Sequence, residues 1–216
     1  MELIEKQSVM LFPTPIFTGK IPDITLCDRI ENKLREMHKS GQESGQGLPH
    51  KFGKSNFLSS DDIHLLPEMK ELVDLVMTES GYILDIYKMK RDSHYITNMW
   101  ANITSPNRWH HMHFHANCLF SGLIYIKTPP NCGNTMFQDP RIHSRMIEPA
   151  YTESTILNGA EFSASPEKGR MMMWPSFLSH TVEYGTAPEH EDRIVVAFNI
   201  MIRGLIDRRT ARLELR

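Results

Sequence analysis

Cysteine is scarce. Cys27, Cys118 and Cys132 are the three in 216 residues, and their spacing fits neither a zinc knuckle nor a redox pair. An odd, scattered set reads as free thiols in a reducing compartment, which points to the cytoplasm. No run of about 18 or more apolar residues occurs, so no membrane-spanning helix is expected. The first residues lack a basic stretch followed by an apolar run and a small-residue cleavage site, so no secretory leader is expected. An excess of one charge is also missing: 24 Lys and Arg face 26 Asp and Glu, a formal net charge of -2. That excludes a global electrostatic footprint for nucleic acid or an anionic membrane. No internal repeat or low-complexity block is present.

What remains is ordinary globular composition in a length that buries a core without staples. Fourteen methionines read as pliable core filling. Residues 1–216 are read as one domain: 1–92 as an N-terminal strand and helical support, 93–203 as a β core, 204–216 as a tail. Val9 to Ile21, with Pro13, Pro15 and Pro22 in and beside it, suits an edge strand. Asp23 is placed to cap a helix running to about Ser40, with Ile24, Cys27, Ile30, Leu34 and Met37 on one stripe. Gly41 ends it. Gly41–Ser55 reads as a loop, either plain surface or a lid over a site. Pro67 opens a second helix to about Lys88, with Gly81 marking a break.

From Tyr95 the texture changes to short strand-like runs separated by Gly, Pro and Asn. The expected strands are Tyr95–Ile103, His111–His115, Leu119–Ile126, Asn134–Phe137, Ala160–Ala164, Arg170–Trp174, His180–Glu183 and Arg193–Ile202. Eight short strands with turn signals between them suggest a sandwich or jelly-roll barrel. Arg141–Leu157 reads as a long connection, and Asp207–Arg216 as a solvated tail or short helix. The fold class is therefore mainly β with N-terminal helices (α+β).

The informative stretch is Trp109-His-His-Met-His-Phe-His115. On an extended strand, alternation puts His111, His113 and His115 on one face and Met112 and Phe114 on the other. Neutral imidazole is the commonest metal ligand. The outer two histidines are about 13 Å apart on such a strand, too far to share one ion, so one neighbouring pair ligates. His180, after Trp174-Pro-Ser, begins another strand and can bring a third ligand. Arg193 opens the last strand among apolar neighbours. A buried guanidinium needs an anion, and a carboxylate matches its fork. The internal candidates are Asp139, Glu183 and Asp192.

These pieces together resemble the iron(II)/2-oxoglutarate-dependent oxygenase superfamily, in its bacterial and phage branch with a His-x-His motif. The matching residues are Leu11-Phe-Pro-Thr-Pro15, Trp100-Ala-Asn102, His113-Phe-His115, Ser121-Gly-Leu-Ile-Tyr125, Phe137-Gln-Asp-Pro-Arg141, Pro175-Ser-Phe-Leu-Ser-His180 and Arg193-Ile-Val-Val-Ala-Phe-Asn199. They span nearly the whole chain in family order.

The resemblance implies a double-stranded β-helix, jelly-roll or cupin-like, buttressed by helices. It implies Fe(II) on His113, His115 and His180, with 2-oxoglutarate as cosubstrate. Arg193 matches the residue that binds the distal carboxylate; Tyr125 and Asn102 are further cosubstrate contacts. It implies hydroxylation of a substrate with molecular oxygen, releasing succinate and carbon dioxide. His110 or His111 is open to a role orienting substrate or supporting the ligands.

One position departs from the superfamily. Its middle ligand is a carboxylate, where this chain has His115, and Asp139 is the alternative donor. A His111–His113 register is the second choice. Three imidazoles leave the site one charge more positive, which alters redox behaviour and metal choice. Two rivals stand beside the oxygenase: a non-catalytic metal-binding β-barrel module, and a 2-oxoglutarate-independent three-His dioxygenase of cupin type. The substrate is open between a protein side chain, a nucleobase and a small metabolite, and a homodimer through an edge strand or the N-terminal helices stays open.

Overall fold

Apolar alternation with a period of two, on strands buried on both faces, decides the architecture. The computed structural model describes residues 7–41, 57–105, 108–141, 146–147, 149–188, 191–208 and 210–215. The elements in chain order are β1 (Phe17–Lys20), α1 (Thr25–Lys39), β2 (Phe57–Leu58), α2 (Lys70–Ile86), β3 (Ser93–Thr104), β4 (His110–His113) and β5 (Phe120–Lys127). They continue as β6 (Thr135–Gln138), β7 (Glu161–Ala164), β8 (Arg170–Pro175), β9 (His180–Val182), β10 (Arg193–Arg208) and β11 (Ala211–Leu215).

The strands form two antiparallel sheets. The major sheet has the order β1-β8-β5-β10-β3-β2, with β11 paired to β10; the minor sheet has the order β4-β9-β6-β7. This is the jelly-roll arrangement expected. Each major strand splits its residues between two cores. Ile124 and Ile126 of β5, Met171 and Met173 of β8, and Ile194, Val196 and Phe198 of β10 face the helices. They pack there against Cys27, Ile30 and Leu34 of α1 and Leu72, Val76 and Leu84 of α2. The intervening Leu123 and Tyr125, Met172 and Trp174, and Val195 form a second core with Phe137 and Ala164 of the minor sheet. Parity along a strand thus assigns each residue to support or to the barrel interior.

Several expectations are corrected. Of Val9–Ile21 only Phe17–Lys20 is a strand, and it lies at the sheet edge against β8, as its flanking prolines allow. Asp23 stands two residues ahead of α1 and still accepts the Thr25 N–H at 2.9 Å, as a cap would. Gly41 ends the helix in the left-handed region (φ 72) as read. Pro67 opens a 3-10 turn that runs into α2, and Gly81 does not break that helix. Its missing side chain admits His94 of β3, whose Cε1 would lie 3.2 Å from an added Cβ. The tail is neither helix nor coil: β11 forms a hairpin with an extended β10. β2, pairing Phe57 and Leu58 with β3, has no counterpart among the strands read from the sequence. Residues 42–56 of the loop, and 142–145 and 148 of the long connection, lie outside the described residues. Among the described residues no helix is long and apolar enough to cross a membrane.

Candidate metal and cosubstrate site

The site begins with a register. β4 and β9 pair so that His113 lies directly opposite His180, and opposed residues share a face. Their rings stand 4.3 Å apart between centroids. The chain leaves the minor sheet after His113, and the His115 N–H donates to the Ser176 carbonyl instead of a β4 neighbour. This departure corrects the reading of one strand through His115. It folds His115 back, so its ring lies 5.2 Å from both His113 and His180. The ligating atoms of His113, His115 and His180 all fall within 4.8 Å of one another. His111 goes elsewhere, its ring 4.2 Å from that of exposed Trp109. That removes the His111–His113 register.

Hydrogen bonding fixes which nitrogen is available on each ring. His113 Nδ1 is 2.7 Å from the His111 carbonyl, and His180 Nδ1 is 3.0 Å from the Leu178 carbonyl. His115 Nδ1 is 2.9 Å from Asn199 Oδ1. All three partners are acceptors, so each Nδ1 carries the proton and each Nε2 keeps its lone pair. Burial reinforces neutrality. It lowers the pKa of His180 to about 3 and of His115 to about 4, with the neighbouring His113 adding to both shifts. His113 is lowered by the same burial. Three neutral, converging imidazoles with outward-anchored Nδ1 groups are what a divalent transition metal requires. The donor set therefore fits a metal. Asp139 is not in the cluster: both its carboxylate oxygens accept from the Arg141 guanidinium, at 2.9 and 2.8 Å.

Aromatic packing dries the centre. Trp174, 2% exposed, sets its ring edge-to-face against His180 at 4.8 Å and Phe137 at 4.9 Å. Trp100 stacks on His115 at 5.7 Å.

Arg193 lies on the barrel-interior face at the start of β10, 3% exposed. Among the described residues no carboxylate forms an ion pair with it. Asp192 is engaged by Arg35 at 3.2 Å, and Glu183 lies beside Ser163. Its surroundings are the Tyr125 ring, 5.3 Å below the guanidinium, and the Thr135 hydroxyl, 3.3 Å from one Nη. Tyr125 and Thr135 hydroxyls join at 2.7 Å. Arg193 Nε, Thr104 Oγ1 and His110 Nε2 are all buried without a partner. Thr104 is the cross-strand neighbour of Arg193. Burial lowers the His110 pKa to about 4, and the Arg193 charge adds to the shift. A buried cation beside buried polar groups without protein partners is the surrounding an anion requires. Such a pocket fits a carboxylate. Asn102, two residues from Thr104 on the same face of β3, is 7% exposed.

Sequence reading missed Thr135, Thr104, Ser121 and the role of Asn199. The parity of β10 carried a signal for the last: if Arg193 faces the interior, so does Asn199.

Comparison with known proteins agrees with this geometry. Residues 98–199 match the family model described as "Putative 2OG-Fe(II) oxygenase". No match to a curated protein was found. Among solved structures, a Pseudomonas putida prolyl-4-hydroxylase is similar over 88% of this chain and 94% of its own, at 10% identity and a TM-score of 0.63. The non-heme alpha ketoglutarate dependent epimerase SnoN, from nogalamycin biosynthesis, is similar over 94% of this chain and 89% of its own, at 11% identity and a TM-score of 0.61. HygX from Streptomyces hygroscopicus, solved with nickel, 2-oxoglutarate and hygromycin B, is similar over 88% of this chain and 83% of its own, at 10% identity and a TM-score of 0.57. At these identities the likeness is one of fold. The matched segment runs from within β3 to Asn199 and contains every residue described above as building the site. Over that segment, a little under half of its length, the chain is similar to the 2OG-Fe(II) oxygenases.

Proposed function

We propose that His113, His115 and His180 hold the iron and that Arg193 binds the distal carboxylate of 2-oxoglutarate, in an enzyme that hydroxylates its substrate. The observation that carries this reading is the pairing of two unfinished features. Three neutral imidazoles converge, and beside them lies a buried guanidinium with no carboxylate of its own among the described residues. With three imidazoles the metal keeps both its positive charges, and Arg193 adds a third. The 2-oxoglutarate dianion is the complement that this excess requires. The charge argument also favours this reading over a 2-oxoglutarate-independent three-His dioxygenase, which leaves Arg193 without an anion.

Each residue has its own work. Arg193 presents a fork to the carboxylate, with Thr135 and Thr104 hydroxyls and His110 Nε2 as further donors. Tyr125 supports the guanidinium from below and orients the Thr135 hydroxyl. Asn102 lines the same interior face. Trp174 and Phe137 exclude water behind His180. Bound Fe(II), with 2-oxoglutarate and oxygen, supplies the oxidising equivalent delivered to a substrate C–H bond, with succinate and carbon dioxide as coproducts. The substrate class stays open between a protein side chain, a nucleobase and a small metabolite. The fold neighbours include a prolyl-4-hydroxylase, an epimerase and a protein solved with hygromycin B. Three unpaired cysteines, Cys27, Cys118 and Cys132, suit a reducing cytoplasm.

The test is succinate release by the iron-loaded protein with 2-oxoglutarate and oxygen, alongside 2-oxoglutarate binding under anaerobic conditions. Binding that depends on Arg193, with succinate formed, is expected. Oxygen consumption without 2-oxoglutarate would favour the three-His dioxygenase, and neither binding nor turnover would favour the non-catalytic module.

A further inference from the structure

Two of the three imidazoles are anchored in the same way. His113 and His180 each donate Nδ1–H to the carbonyl two residues before them, at 2.7 and 3.0 Å. His115 does not. Its Nδ1 reaches 2.9 Å across to a side chain, Asn199 Oδ1, 84 residues away. Asn199 is 5% exposed and sits in the middle of the major sheet. Its register partners are Asn98 on β3 and Ser121 on β5, so all three side chains share the interior face. Both neighbours bond to it. Ser121 Oγ donates to Asn199 Oδ1 at 2.8 Å, and Asn199 Nδ2 donates to Asn98 Oδ1 at 2.9 Å. Thr97 Oγ1 also donates to Asn98 Oδ1 at 2.8 Å. The sheet register slips between Asn199 and Ile200, a bulge of the kind that re-aims a side chain.

An amide can be flipped, so its orientation has to be argued from its partners. In the structure the Asn199 NH2 faces Asn98 Oδ1 and the Asn199 Oδ1 faces His115 Nδ1. A metal on the cluster requires the same arrangement, because it needs the Nε2 lone pair that the Nδ1–H tautomer leaves available. We infer that Asn199 is the positioning residue for the third imidazole: it sets His115 as the Nδ1–H tautomer and aims its Nε2 into the cluster. The inference rests on the proposed three-imidazole centre. It explains how a neutral histidine serves where the superfamily has a carboxylate, since an acceptor behind a ligating imidazole raises its basicity. It also makes His115 the one ligand whose electron donation is set by a replaceable side chain.

The test uses the full-length chain. In the metal-free wild type, two-bond 1H–15N spectra of the histidine rings should show His115 as Nδ1–H. Asn199→Leu should shift His115 toward Nε2–H and weaken Co(II) or Zn(II) binding about 10- to 100-fold, leaving the His113 and His180 tautomers unchanged. Asn199→Asp keeps the shape and adds a carboxylate behind the ring. It should restore Nδ1–H and metal affinity, and make the Fe(III)/Fe(II) potential more negative than in the wild type. A wild-type His115 in the Nε2–H form would overturn the inference without any variant. So would an Asn199→Asp protein whose potential is unmoved. Failure of the wild type to take up any metal would overturn the three-imidazole centre itself. The ring spectra, which need no metal, separate that failure from an error about Asn199.

Discussion

The two faces of the major sheet are made from alternate residues of the same strands, and they follow opposite rules. The face toward the helices holds Ile124, Met171, Val196 and Phe198, all in one apolar core. The face toward the minor sheet also has an apolar patch, but it carries Arg193, Thr104, Ser121, Asn199 and Asn102 as well. Three of the five buried, unpartnered polar side-chain atoms among the described residues, on Thr104, Trp174 and Arg193, belong to this face; a fourth is on His110 of the minor sheet. Natural cores seldom leave such groups without partners, so their concentration on one side marks where stability has yielded to ligand binding. Support and chemistry are thus separated by a step of one residue.

Adjacent substitutions should split these roles. Phe198→Ala, on the helix face, should cost about 3–5 kcal/mol of stability, read as a lowered urea midpoint. Metal affinity in the surviving folded fraction should be unchanged; equal loss of both would erase the distinction between the faces. On the other face, Arg193→Met should weaken 2-oxoglutarate binding by about 2–5 kcal/mol, some 30-fold or more. Metal binding should persist, and stability should hold or rise because a buried unpaired charge is gone. Calorimetric titration and thermal melts check both halves.

Acid should probe the site face as a whole. In the metal-free protein His110, His115 and His180 resist protonation to about 4, 4 and 3, below the ordinary value of 6.5. Between those values the unfolded chain binds more protons, so stability present above about pH 6.5 should fall as the pH drops. Urea midpoints at pH 7 and pH 5 measure this, and saturating Zn(II) should reduce the loss. A midpoint indifferent to pH would mean the imidazoles are not held neutral. The smallest effect is expected for Tyr125→Phe. Losing one hydroxyl contact to Thr135 should cost about 1 kcal/mol and weaken 2-oxoglutarate binding by less than Arg193→Met does.

Strand parity made much of the fold legible. Arg193-Ile-Val-Val-Ala-Phe-Asn199 is apolar almost throughout, yet its alternation sorts it correctly once one residue is placed. The stripe of the first helix was legible at Cys27, Ile30, Leu34 and Met37, which are buried at helical spacing, whereas Ile24 precedes the helix and is exposed. What escaped notice depends on contacts distant in sequence. The stretch from His111 to His115 alternates as a single strand does, and nothing local announces that the chain turns off after His113. The turn is fixed by the Ser176 carbonyl, 61 positions on. Gly81 looks like a breaker until His94 is seen to need the space. The β11 hairpin, with Arg212 and Glu214 along it, has the composition of a solvated tail because it is an edge strand.

The anchors of His113 and His180 are main-chain carbonyls, of His111 and Leu178. No codon change removes a carbonyl, so in the proposed centre these two imidazoles keep their anchors when side chains nearby are replaced. The sole dial that substitution can turn lies behind His115. Variation in how readily this centre gives up an electron should therefore track the residue at 199, while the other two imidazoles stay fixed as the constant part of the instrument.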